Sequence, residues 1–108
     1  MAQFNDIPLY ELQQGLADGA VTLVDVREQD EWNGGHIKGA HFLPLSKFDP
    51  AKLPAAEPGK KIVIYCRSGR RSVSAMEQAQ LGGRRDCDTH FGGGILAWIN
   101  AGLEVEKG

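Results

Sequence analysis

Hydrophobic and polar positions follow two rhythms along this chain, and the switches between them lay out its elements. Leu9, Leu12 and Leu16 fall at i, i+3 and i+7, the spacing of one helical face, so Pro8 to Leu16 reads as an amphipathic helix. Val21-Thr22-Leu23-Val24 reads as a buried strand running on to Val26. Glu28 to Trp32 predicts a short helix broken at Gly34-Gly35, and Ala40 to Leu43 a short strand closed by Pro44. Ile62 to Tyr65 shows no polar alternation, as expected of a central parallel strand covered on both faces. Val73 to Leu81 is helix-forming, and Ile95 to Asn100 falls in a last helix with Gly102 as its stop. The stretch from Asp49 to Gly59 carries three prolines and reads as a surface connection.

The run Leu81-Gly82-Gly83-Arg84-Arg85-Asp86-Cys87-Asp88-Thr89-His90-Phe91 is a weak strand former, because glycine, arginine and aspartate fit a pleated, half-buried surface poorly. It is expected to survive as an edge or short strand, among the more mobile parts, with Cys87, Thr89 and Phe91 on one inward face. Strands alternating with helices imply an α/β domain, its mostly parallel central sheet carrying helices on both faces. Ligand sites in such sheets lie beyond the carboxyl ends of the strands.

Composition narrows the possibilities further. A length of 108 residues, spanning 1–108, suits one domain with a modest core. The 42% hydrophobic and 24% charged content argues against disorder. A formal net charge of −2 gives no electrostatic case for nucleic acid as a partner. No run reaches transmembrane length, and Met-Ala-Gln-Phe-Asn-Asp at the start has neither the basic region nor the apolar core of a leader, so no membrane partner is expected. Two cysteines without a disulfide framework fit a reducing compartment, and a cytoplasmic location is expected.

The candidate chemistry sits where the central strand ends. Cys66-Arg67-Ser68-Gly69-Arg70-Arg71-Ser72 follows Tyr65 directly and leads into a helix. Exposed N–H groups and the positive end of a helix dipole favour negative charge in such a loop. An unperturbed thiol is only about 3% ionised at pH 7, whereas a pKa near 6.5 would make it roughly three-quarters thiolate. Gly69 allows the loop to curl, and Ser68 and Ser72 add hydroxyl donors, with Ser72 placed to cap the helix. A lone cysteine is most often a small buried hydrophobe, but three arginines beside it are hard to explain by burial. Arg67, Arg70, Arg71, Arg84 and Arg85 form a local positive funnel suited to a small anion.

Other residues carry weaker signals. Asp25, Arg27 and Glu28 end the first buried strand and are read as a charge network supporting the site, Arg27 pairing with Asp25 or Glu28. His41 and His90 show no ligand spacing with each other or with the cysteines, so no metal site is expected. Trp32 and Trp98 are read as core residues, and Cys87 as an inward strand residue rather than a redox partner of Cys66.

Three ordered blocks resemble the rhodanese (sulfurtransferase) family in its single-domain form. They are Val24-Asp25-Val26-Arg27-Glu28 with Glu31-Trp32, Gly35-His36-Ile37 and Gly39-Ala40; the loop from Cys66 to Arg71; and Gly93-Gly94-Ile95-Leu96-Ala97-Trp98 with Ala101-Gly102-Leu103. The resemblance implies a rhodanese-like fold and a double displacement in which Cys66 takes the sulfane sulfur of thiosulfate or a similar anionic donor. The persulfide would pass its sulfur to cyanide or to a thiol, a protein thiol included, and no metal or organic cofactor would be needed. Arg67 and Arg70 would bind the anion, with Ser68 and Gly69 contributing to the cradle; for Arg71, binding and loop anchoring both stay open. His36 is expected to be a hydrogen-bonding strut. Related phosphatases and arsenate reductases place arginine one residue later, where this chain has Ser72. A non-turnover carrier or interaction module is the main alternative.

Overall fold

The computed structural model describes residues 4–108, so the part of the leader reading that rests on residues 1–3 lies outside it. Its strands are β1 (Asn5–Asp6), β2 (Val21–Asp25), β3 (His41–Phe42), β4 (Lys61–Tyr65) and β5 (Thr89–Phe91). Its helices are α1 (Leu9–Ala17), α2 (Gln29–Gly34), α3 (Arg70–Leu81) and α4 (Gly94–Asn100). All strand pairs are parallel, in the order β1-β5-β4-β2-β3. The expected α/β architecture is present, and β4 is central, with Ile62 to Tyr65 wholly buried.

Alternation along β4 builds two cores. Ile62, Ile64 and Cys66 join Val24, Val26 and Leu43 against Ala75, Met76 and Ala79 of α3. Val63 and Tyr65 join Leu23, Ile37 and Phe91 on the opposite face, against Leu12 of α1 and Ile95 of α4. Leu12 is buried, with Leu9 and Leu16 packed beside it, as the helical spacing predicts. Helices therefore cover both faces, and no helix among the described residues is long and apolar enough to cross a membrane.

The segment before Phe91 departs from expectation. Strand β5 is short, but it is an inner strand, with β1 on one side and β4 on the other. Asn5 N–H donates to Asp88 O at 2.7 Å and Ile7 N–H to His90 O at 2.9 Å, so two polar residues supply the edge. Cys87 precedes the strand in a turn and packs in the α3-side core, whereas Phe91 packs on the other face. The alternation extrapolated back to Cys87 therefore fails.

Other differences are smaller. Leu53, within the Pro-rich connection, is buried in the α3-side core. Trp98 is partly buried against the α1–α4 core, but Trp32 belongs to neither core and instead stacks on His36, with ring centroids 3.5 Å apart.

Candidate active site

The carboxyl end of β4 delivers Cys66, and the loop then curls back over it. Gly69 makes the curl with φ 98°, and a Cβ there would lie 2.6 Å from Gly92 O. Left-handed backbone strongly favours glycine. Helix α3 consequently begins at Arg70, three residues earlier than the hydrophobic pattern indicates, and Gly69 rather than Ser72 is its N-cap. Ser72 sits inside the first turn instead, completely buried, with its hydroxyl toward the cysteine.

The loop turns the N–H groups of Ser68, Gly69 and Ser72 toward the sulfur and the carbonyls of Cys66 and Arg67 toward α4. Gly69 N–H donates to Cys66 Sγ at 3.1 Å, and Ser72 Oγ lies 3.6 Å from the sulfur. Burial pushes the thiol pKa up, but hydrogen bonds from the Ser72 side chain and from the N–H groups of Ser72, Gly69 and Ser68 outweigh it. The net shift is downward from the ordinary 9.0. On the outer side, Cys66 O accepts from Ile95 N–H at 3.0 Å and Arg67 O from Leu96 N–H at 3.3 Å. Gly94, with φ 63°, lets α4 approach that closely: a Cβ there would fall 2.2 Å from Arg67 O.

Of the three loop arginines, Arg71 is engaged. Its guanidinium donates to both carboxylate oxygens of Glu31, at 2.6 and 2.8 Å. This pair ties the loop to α2 and holds the Glu31 carboxyl at about 2, below its ordinary 4.5. Arg67 and Arg70 are exposed and form no ion pair among the described residues. Arg84 does not belong to this cluster. It pairs with Asp86 at 2.8 Å and donates to Pro54 O, past the far end of α3, which is on the order of 18 Å long.

The supporting network is layered behind the loop. Asp25 and Arg27 form a buried pair, Arg27 Nη2 lying 2.7 Å from Asp25 Oδ2 and Arg27 Nε donating to both carboxylate oxygens at 3.1 Å. Arg27 also donates to Gly35 O at 2.7 Å and to Glu31 O at 3.4 Å, which fixes α2 against the sheet. Glu28 is not its partner; it caps α2 reciprocally with Glu31 and accepts from Ser46. His36 Nδ1 contacts Trp32 O at 3.1 Å, and its backbone pairs with Glu106 through two 2.8 Å bonds. Neither contact involves Cys66.

Sequence reasoning missed two participants. Glu31 was visible only as part of a motif, although Arg71 close to Cys66 already asked for a carboxylate. His90, read solely as a non-ligand, lies on β5 with Nδ1 2.7 Å from Ser72 Oγ. Cys87 is buried with its thiol pushed up to about 12, chiefly by burial, so it stays protonated at neutral pH. Both cysteines are free, and no three-residue His, Cys, Asp or Glu cluster suited to a metal occurs among the described residues.

Comparison with known proteins agrees with this geometry. An uncharacterised protein of Synechocystis is 48% identical over 96 residues, which cover 89% of this chain. The chain spans only about half of that relative's length, 52%. A protein of Allochromatium vinosum named as a sulfurtransferase is 36% identical over 102 residues, covering 94% of both chains. The crystal structure of a rhodanese-related protein from Thermoplasma volcanium superposes with a TM-score of 0.77 at 30% identity, covering 95% of this chain and 98% of that one. The model of the rhodanese-like domain matches residues 9–101, from the first turn of α1 to the residue closing α4, and the chain belongs to the rhodanese-like domain family.

Proposed function

We propose that the chain is a sulfurtransferase in which Cys66 carries sulfur as a persulfide. The observation that carries this reading is the buried Cys66 sulfur facing inward-turned N–H groups, its pKa lowered despite burial. The thiolate attacks the sulfane sulfur of thiosulfate or a similar donor, forming one S–S bond while the donor's S–S bond breaks. Sulfite leaves with that bond's electron pair, so the step needs no external oxidant. The negative charge now on the outer sulfur faces the same N–H groups. A thiophilic acceptor, cyanide or a thiol, then attacks the outer sulfur and returns the Cys66 thiolate.

Arg67 and Arg70 are assigned to attracting the anionic donor, and Ser68 and Gly69 to the cradle. Arg71, held by Glu31, is assigned to anchoring the loop. Asp25, Arg27, Glu28 and His36 support the site from behind. The loop carries no arginine at the sixth position after the cysteine; Ser72 occupies it and faces the sulfur, which disfavours phosphate or arsenate chemistry. A second reading, a domain that hands sulfur to a protein acceptor without small-molecule turnover, is supported by the roughly double length of the Synechocystis relative.

Intact mass of reduced protein after thiosulfate treatment tests the proposal. One added sulfur atom is expected, removed by cyanide with thiocyanate formed, and absent in Cys66→Ser. No addition from thiosulfate or from a persulfide donor would overturn it.

A further inference from the structure

Three buried polar side chains from three separate elements form a line on the α3 side of the sheet. Cys66 comes from the loop after β4, Ser72 from the first turn of α3 and His90 from β5. The steps are 3.6 Å from Sγ to Oγ and 2.7 Å from Oγ to Nδ1. We infer that His90 is a positioning residue for Cys66: with its ring proton on Nδ1, it donates to Ser72 Oγ and thereby turns the serine hydrogen onto the cysteine sulfur. This rests on the reading of Cys66 as the nucleophile.

The argument is one of counting hydrogens. A serine hydroxyl has one proton to donate and two lone pairs to accept with. Three acceptors compete for that proton here: Cys66 Sγ, Gly69 O at 3.2 Å and, if its Nδ1 is bare, His90. With a bare Nδ1, the 2.7 Å contact requires the serine proton, because two lone pairs would otherwise face each other across it. Ser72 would then show Cys66 only a lone pair, which favours the thiol. With the proton on Nδ1, the ring fills that contact and the serine proton is released to the sulfur. A thiolate, carrying full charge, outcompetes the neutral Gly69 carbonyl for it. The thiolate therefore selects the Nδ1–H tautomer, and that tautomer favours the thiolate.

The surroundings keep His90 a neutral donor. Burial lowers its pKa, and Asp6, its register partner on β1, raises it in part. The Asp6 carboxylate is itself occupied, accepting from Gly92 N–H at 2.8 Å. Beside His90 on β4 stands Ile64, and α3 contributes Ser72. Asp6 and, through Ser72, Cys66 are thus the titratable groups that face the ring. Protonation in acid adds a hydrogen at Nε2 and leaves the Nδ1 donor in place.

The test reads the thiolate without any sulfur donor, so it stands apart from the proposed transfer reaction. Iodoacetamide alkylation of the full chain is followed against pH, with Cys66 and Cys87 separated by peptide mass. Ser72→Ala and His90→Leu should each slow Cys66 alkylation at pH 7 about three- to tenfold, and the double variant should be no slower than the slower single one. His90→Asn puts an amide N–H donor where Nδ1 stood and should return the rate to within about twofold of the parent. Unchanged alkylation in His90→Leu, or multiplied effects in the double variant, would overturn the inference. Should His90→Leu fail to fold, NMR of the imidazole nitrogens in the parent protein decides. A protonated His90 Nδ1 above the Cys66 pKa is expected, and a bare one there overturns the inference.

Discussion

Arg71 and Glu31, separated by 40 positions in sequence, meet through two nearly parallel hydrogen bonds of 2.6 and 2.8 Å. The pair joins the loop that carries Cys66 to α2, which Arg27 holds to the sheet. Bidentate geometry and partial burial put it above an ordinary surface ion pair.

Glu31→Gln should cost about 1–2 kcal/mol, between the values for exposed and buried pairs. Chemical denaturation measures it. Because the folded carboxyl is depressed from 4.5 to about 2, its stabilisation is fully present above pH 4.5 and is lost as pH falls toward 2. The gap between parent and variant should close over that window.

Cys66→Ser should abolish sulfur transfer and leave the fold intact, since the change is nearly isosteric. Cys87→Ala should keep activity within about twofold while costing on the order of 1 kcal/mol for its small cavity. Loss of transfer in the second variant would show that the buried thiol takes part. A steady-state thiosulfate assay beside a melting curve separates the two effects.

Gly69→Ala should be far more damaging than its size suggests. The added methyl meets Gly92 O at 2.6 Å in a left-handed backbone. A cost of roughly 1–3 kcal/mol is expected, with at least tenfold loss of transfer as the N–H group at the sulfur shifts.

Arg67→Ala and Arg70→Ala should each raise KM for thiosulfate severalfold and leave kcat nearly unchanged. Added salt should shrink the difference, because both side chains are exposed and screened. An unaltered KM in both variants would remove their anion-attracting role.

Amide exchange should divide the segment expected to be among the more mobile parts. Gly82 to Asp86 lies in exposed or half-buried turns and should exchange quickly. Thr89 to Phe91 is buried, Thr89 and His90 being paired on both sides and Phe91 with Tyr65, and should be protected.

What was legible in the sequence was what local pattern determines. Leu9, Leu12 and Leu16 declare α1 by spacing, and the unbroken run Ile62 to Tyr65 declares the central strand. Cys66 could be placed at a strand end for the same reason. Asn5 and Asp6 could not be read as a strand, because backbone pairing with residues more than 80 positions away defines β1, not side-chain character. That unseen edge is why Thr89 to Phe91 looked like a border. The start of α3 was misplaced because Gly69, not the hydrophobic spacing, sets it. His90 stayed hidden because its partner is on another element, and its neighbours in sequence say nothing about Ser72.

The burial of Cys66, a residue only 1% exposed, would make the two halves of the proposed cycle unequal in the company they admit. In that cycle a donor would have to bring its sulfur to a buried atom, which favours a single terminal sulfur over a branched or bulky group. The proposed persulfide would lengthen the Cys66 side chain by about 2 Å, the length of one S–S bond. The atom offered to the acceptor would therefore differ in position from the one that met the donor. Burial of the resting atom can thus select donors and acceptors by different criteria.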